Sequence, residues 1–184
     1  ATDIPLNENG EALAKATCEG MKDINFDVIY SSPLDRAKTT AEIINEEHQK
    51  TIVFDDRLKE IYGGTSQGQC LDKWSEDEVK ELHENPKKFG AESSQELCAR
   101  VEEFFKEIDT DIADSYLSIG AVYDSQGEYE KALTEYKKAL EILLQTFGDI
   151  HPNVAMSYNN CLSAQDKSDA LTLSKRAHTS LIMR

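Results

Sequence analysis

The sequence is poor in the features that announce most functions. No apolar run approaches the roughly 20 residues needed to span a membrane. The opening Ala1-Thr2-Asp3-Ile4-Pro5 has neither the basic start nor the apolar core of a signal peptide. Cys18, Cys70, Cys98 and Cys161 lie far apart with no C-x-x-C pair, so free buried thiols are expected, and neither a disulfide framework nor a zinc site is. Basic residues are scarce: 20 Lys and Arg face 35 Asp and Glu, a net charge of −15. Such a surface repels phosphate backbones, and no basic patch offsets it, which argues against a nucleic-acid partner. There are only four histidines, His48, His83, His151 and His178, and none stands in a motif. These absences predict a cytoplasmic chain without metal, cofactor or membrane contact.

What is present divides in two. The 184 residues suit one ordinary domain or two small ones. Residues 1–109 carry 25 acidic and 13 basic side chains, whereas 110–184 carry 10 and 7. Leu13, Ala14, Ala16 and Met21 predict a helix over about 10–22. Phe26-Asp27-Val28-Ile29-Tyr30 reads as a strand. Ser32 then serves as N-cap, with Pro33 at the first helical position and Asp35 in the first turn, of a helix running toward Gln49. Thr51-Ile52-Val53-Phe54 is a second strand, and Gly63, Gly64 and Gly68 make a loop. Helices follow over about 71–84 and 93–108. Strands alternating with helices predict an α/β layer with a parallel sheet, but two strands alone cover little.

From Asp111 the pattern is purely helical. Tyr116, Ile119, Gly120 and Tyr123 form one stripe; Tyr129, Ala132, Leu133, Tyr136, Ala139 and Leu140 form another, with Gly127 in the turn between them. Gly120, in mid-helix, predicts close helix–helix approach. Gly148 and Pro152 close the second helix. Ala113-Asp114-Ser115-Tyr116 is echoed by Ala155-Met156-Ser157-Tyr158 at a period of 42 residues.

Tyr30-Ser31-Ser32-Pro33-Leu34-Asp35-Arg36-Ala37-Lys38-Thr39-Thr40 resembles the second motif of the histidine phosphatase (phosphoglycerate mutase) superfamily. Thr2 to Gly10, Arg57-Leu58-Lys59-Glu60-Ile61 with Gly64 and Gly68, Glu92-Ser93 and Arg100-Val101 fit the same family in order. The resemblance implies an incomplete three-layer αβα sheet. It implies a reaction in which an imidazole attacks phosphorus, a guanidinium holds the phosphoryl oxygens and a carboxyl group exchanges the proton. It gives Arg36 the phosphate-binding role and Glu60 the catalytic acid–base role, and leaves Tyr62 as packing. The family's Arg-His-Gly motif belongs just before Ala1, and its second histidine after about residue 109, where other sequence stands. The expectation is therefore a pseudoenzyme or fragment that binds a phosphate-bearing small molecule weakly.

Asp124-Ser125-Gln126-Gly127-Glu128-Tyr129-Glu130-Lys131-Ala132-Leu133 resembles a tetratricopeptide turn, and Leu144 to Ala155 the connector of kinesin-light-chain-type repeats. This implies an all-α helical hairpin that presents a groove to a protein partner. One hairpin cannot cover its own apolar face, so it must lean on something else. The expected division is a histidine-phosphatase-like segment at 1–108, a repeat hairpin with the start of a second at 109–160, and an unassigned tail at 161–184 with room for one helix. Three functions follow: a phosphoryl-transfer relative that has lost catalysis, a protein-interaction module, or a truncated or chimeric reading frame without selected function.

Overall fold

Asn7 opens the first helix of the chain because its carboxamide oxygen accepts the Gly10 N–H at 2.9 Å, while Glu8 and Glu11 suit the positive end of the helix dipole. The computed structural model describes the backbone of residues 3–182 and the side chains of 3–70 and 72–174. These fall into two compact units, Ala1–Phe104 and Phe105–Arg184.

In the first unit, α1 (Glu8–Gly20) buries Ala14 and Cys18 against Ile43 of α2 (Asp35–His48). β1 (Val28–Ser31) and β2 (Thr51–Phe54) form a two-stranded parallel sheet in the register Val28–Thr51 to Ser31–Phe54, with α2 as the crossover. Helix α2 starts later than the sequence suggests. Leu34 is extended and buried, and its carbonyl takes the first helical N–H groups, from Ala37 and Lys38. Ser32 supplies no N-cap bond; its hydroxyl accepts the Leu34 N–H at 3.4 Å, ahead of the helix. The exposed Asp35 N–H instead donates to the Asp3 carboxylate at 2.7 Å. Gln49, in the left-handed region (φ 53°), ends the helix.

The helix expected over 71–84 is two pieces, a 3-10 turn at Leu71–Lys73 and α3 (Glu76–Glu84). Ser75 starts α3 afresh through a capping box with Glu78. Helix α4 corrects the expected end at 108: it runs unbroken from Ser94 to Ser125 and so passes from the first unit into the second. No proline lies between those residues and the only glycine is Gly120, so nothing local stops the helix.

In the second unit α4 is followed by α5 (Tyr129–Phe147) and α6 (Pro152–Ile182), with Gly127 and Gly148 at positive φ in the two connections. Ala113, Ala139, Leu143 and Val154 form a core at 0% exposure, continued by Ala132, Tyr136, Cys161 and Ala164. Gly120 lies under the Tyr136 ring, where an added Cβ would sit 2.5 Å from a ring carbon, which is the close approach its position predicts. Ile119 does not belong to this packed stripe and is 44% exposed. It stands about 100° round the helix from Gly120, outside the set of residues that packs on α5. Cys18 and Cys161 are buried thiols, but Cys70 and Cys98 are exposed, because the first lies in a surface turn and the second on the solvent side of α4. Among the described residues no helix is long and apolar enough to cross a membrane.

Candidate functional site

The site grows from the ends of the two strands. β1 delivers the chain through Ser31 and Ser32 to the N-terminus of α2, and Arg36 is the second residue of that helix. Its backbone is fixed by the helix, and its carbonyl accepts the Thr40 hydroxyl at 2.8 Å. β2 delivers the chain to Asp55, which caps a 3-10 turn at Asp56–Leu58 by accepting the Arg57 N–H at 2.7 Å. Arg57 returns a bidentate pair to the same carboxylate, at 3.0 Å from Nε and 2.7 Å from Nη2, which holds the Asp55 carboxyl below the usual carboxylate range. Glu60 follows two residues after the turn, and its Oε2 is ion-paired with Arg36 Nη2. Thus the two residues assigned roles by family resemblance stand side by side, although 24 positions separate them.

A second pair of residues fixes the loop that carries Glu60. Arg100, on α4, donates from Nε and Nη2 to Glu92 at 2.6 and 2.9 Å, and from Nη1 to the Arg57 carbonyl. Glu92 in turn donates its N–H to the Tyr62 carbonyl at 2.8 Å and accepts the Tyr62 N–H on Oε2 at 3.2 Å. The loop is therefore clamped at Arg57 and at Tyr62, on either side of Glu60. Both clamp side chains are four-fifths covered. The Arg100 hydrogen bonds lower the Glu92 carboxyl and raise the Arg100 guanidinium. Sequence reasoning placed Glu92 at a helix start and Arg100 within that helix, and missed the clamp. Its signal was a Glu and an Arg eight positions apart across a helix N-terminus.

Each partner of the Arg36–Glu60 pair lines an open cavity. One, of about 510 Å³, is lined by Arg36 together with Leu6, Ile29, Ser31, Ala41 and Leu58. The other, of about 500 Å³, is lined by Glu60 together with Lys59, Tyr62, Lys87, Glu96 and Arg100. In the latter, the Lys87 ammonium sits 2.6 Å from Glu96 and, with the Ser93 N–H and hydroxyl, lowers that carboxyl to about 2. Tyr62 is half-exposed at the wall rather than packed as expected.

No described histidine lines either cavity. His48 ends α2 with its ring 4.4 Å from Phe26, and its Nε2 is buried without a hydrogen-bond partner. His83 turns Nδ1 toward the Val79 carbonyl at 2.7 Å. His151 belongs to the second unit, stacked on Phe147 at 4.2 Å and accepting the Asn153 N–H on Nδ1. The His178 side chain lies outside the described residues. Chemically, the assembled groups can hold an anion on a guanidinium and offer a carboxyl for proton exchange; no described imidazole is placed to attack phosphorus.

The family model of the histidine phosphatase superfamily, branch 1, matches residues 1–119, and the chain belongs to that superfamily. A tetratricopeptide repeat model matches residues 111–181, which takes in the stretch read as an unassigned tail. The chain is 50% identical over 72 residues to the uncharacterized phosphatase PhoE of Bacillus subtilis, covering 39% of this chain and 37% of that protein. It is 35% identical to a probable phosphoglycerate mutase, GpmB, of Salmonella paratyphi A, over 54% of this chain and 49% of the relative. It is 34% identical to phosphoserine phosphatase 1 of Hydrogenobacter thermophilus, over 58% and 53%. The chain thus spans about half or less of the length of these relatives.

Proposed function

We propose that the first unit holds a phosphate-monoester site in which Arg36 binds the phosphoryl oxygens and Glu60 exchanges a proton with the ester oxygen. Within residues 1–184 the site binds its ligand without turning it over. The observation that carries this reading is the Arg36–Glu60 ion pair, whose partners each line an open cavity, with Glu60 on a loop clamped by Glu92 and Arg100. A guanidinium in the first turn of a helix adds its charge to that of the helix dipole, and both favour an anion. Transfer also needs a nucleophile at phosphorus, and among the described residues neither cavity wall presents an imidazole.

Binding is weak because acids already occupy the cations. Glu60 pairs with Arg36, and Asp3 holds the α2 N-terminus at 2.7 Å. Titrating inorganic phosphate and p-nitrophenyl phosphate into the chain, followed by phosphorus NMR, tests the reading. Saturable binding lost on Arg36→Ala and tightened on Asp3→Asn is expected, with no nitrophenol released. Indifference of binding to Arg36→Ala would remove the site. Nitrophenol release abolished by Arg36→Ala would show a competent catalyst.

A second reading concerns the repeat. A helical hairpin whose core is closed by α6, through Val154, Cys161 and Ala164, supports recruitment of a protein partner through the second unit. We propose a cytoplasmic location for both activities; the unpaired, exposed Cys70 and Cys98 support it, because a reducing compartment keeps such thiols free.

A further inference from the structure

We propose that the outer side of α4 within the second unit is a docking surface for a cationic amphipathic helix of a partner protein. The proposal rests on the recruitment reading above and names the face and the partner's chemistry. Phe105, Ile108, Ile112, Ser115, Ile119 and Val122 follow one another at intervals of three, four, three, four and three residues. That is the 3.5-residue period of a coiled-coil seam, with one polar residue in six. Phe105, Ile112, Ile119 and Val122 are 56, 43, 44 and 54% exposed. The packing needs of the helix toward α5 are met on another side, where Ala113, Leu117 and Gly120 lie against Ala139, Leu143 and Tyr136. Single exposed apolar residues are ordinary, but an aligned row of them marks an interaction surface.

The spacing selects a helix as occupant. Apolar contacts recurring every 3.5 residues stay in register with another helix at a shallow crossing angle, whereas a strand presents one face every second residue. The row covers about 26 Å at 1.5 Å per residue, so an occupant of about 18 helical residues fills it. Charge selects which helix. From Phe105 to Ser125 α4 carries Glu107, Asp109, Asp111, Asp114 and Asp124 against Lys106, and of these acids Asp124 is ion-paired with Lys167 of α6 at 2.6 Å. Lys131 and Lys138 lie over the neighbouring Tyr123 and Tyr116 rings, but each is tied to an acid of its own, Glu128 and Glu135. A second copy of this chain would bring the same acids and a net charge of −15 to the contact. Lys or Arg beside the partner's apolar row would complement Asp111 and Asp114.

Two labelled peptides of about 21 residues, three heptads each, test the proposal on the full chain. Both carry Leu along the seam; one has Lys and the other Glu at the flanking positions. Fluorescence anisotropy should show saturable binding of the Lys peptide that weakens with salt, and none of the Glu peptide. Ile112→Ser and Ile119→Ser should each weaken binding by about tenfold or more, with circular dichroism melts like the parent's because both side chains face solvent. Equal binding of the two peptides, or no effect of either variant, overturns the proposal. So does a dimer of the parent that Ile119→Ser disperses, since the occupant is then a second copy. A partner lost on Tyr123→Ala but retained by Ile119→Ser would leave recruitment standing and remove this face.

Discussion

The two units reach stability by different routes, and the contrast is visible in how completely each closes a core, since both leave large apolar side chains in water. The second unit packs α4, α5 and α6 so that Ala113, Ala132, Ala139, Leu143 and Val154 have no exposure at all. In the first unit Leu34, Ile43 and Phe104 are buried beside the small Ala14, Ala41 and Ala91, but the large ones keep 4 to 8% exposure, and Ile4, Leu13, Ile24, Phe54 and Tyr62 are between 41 and 69% exposed. Helical hairpins close a core from residues near in sequence. An α/β layer closes only when a sheet covers both helix layers, and this sheet has two strands among the described residues. What holds the first unit is correspondingly polar: the Asp55–Arg57 pair, the Glu92–Arg100 clamp and two Ser–Glu capping motifs, Ser75–Glu78 and Ser93–Glu96.

If that contrast is right, truncation in the second core should cost most. Leu143→Ala removes a side chain with no exposure and is expected to destabilise by about 3–4 kcal/mol. Ile43→Ala, in the cluster with Ala14 and Cys18, should cost about 2 kcal/mol, because a thin layer relaxes into the gap more easily. Urea unfolding followed separately by tyrosine fluorescence and amide exchange would measure both. Equal losses at the two sites would break the comparison. Next in size, Gly120→Ala places a methyl group 2.5 Å from the Tyr136 ring and should cost about 2 kcal/mol by overpacking. Gly120→Ala with the melting temperature unchanged would mean that the α4–α5 approach is looser than the packing indicates.

Much of this organisation was legible in the sequence. Both strands, their parallel pairing, the repeat hairpin, and the roles of Gly120, Gly148 and Pro152 follow from periodicity and turn chemistry. What was not legible depends on contacts distant in sequence. Ser32-Pro33 looks like a helix start, but burial of Leu34 and the carboxylate of Asp3 shift it to Asp35. The stop expected near residue 108 rested on a change of family resemblance, and the backbone registers no such change because Phe105 to Thr110 are all compatible with a helix. Arg36 and Glu60 were named from motifs, but their direct pairing, and the Glu92–Arg100 clamp behind it, need the fold. Ile119 read as core because its spacing fits a stripe, and only the position of α5 shows which stripe is packed.

The clamp gives a prediction of intermediate size with a defined pH dependence. The Glu92 carboxyl is held below its ordinary range by Arg100. Its folded value therefore lies below its unfolded one, so its stabilisation is fully present above the ordinary carboxylate range and is lost as pH falls through the folded value. Glu92→Gln should cost about 2 kcal/mol at neutral pH, since it leaves Arg100, itself 20% exposed, without its charge partner. The gap between parent and variant should close as the solution is acidified, and a gap constant down to pH values well below that range would show that packing, not charge, holds the loop. In the intact chain the same variant should also loosen the Glu60 loop, read as faster amide exchange at Tyr62.

The smallest effect belongs to Ser75, and it bears on whether the first unit depends on local polar bonds as the comparison holds. The Ser75 hydroxyl accepts the Glu78 N–H at 3.2 Å, and Glu78 accepts the Ser75 N–H at 2.8 Å, which lowers the Glu78 carboxyl. Helix α3 has only nine residues and no buried side chain, so little besides this box starts it. Ser75→Ala should therefore cost about 1 kcal/mol, and should appear as faster exchange confined to Glu78 through Glu84 with α5 untouched. A Ser75→Asp variant, which restores an acceptor at the cap, should recover most of the protection; if it does not, the helix is held by something other than its first turn.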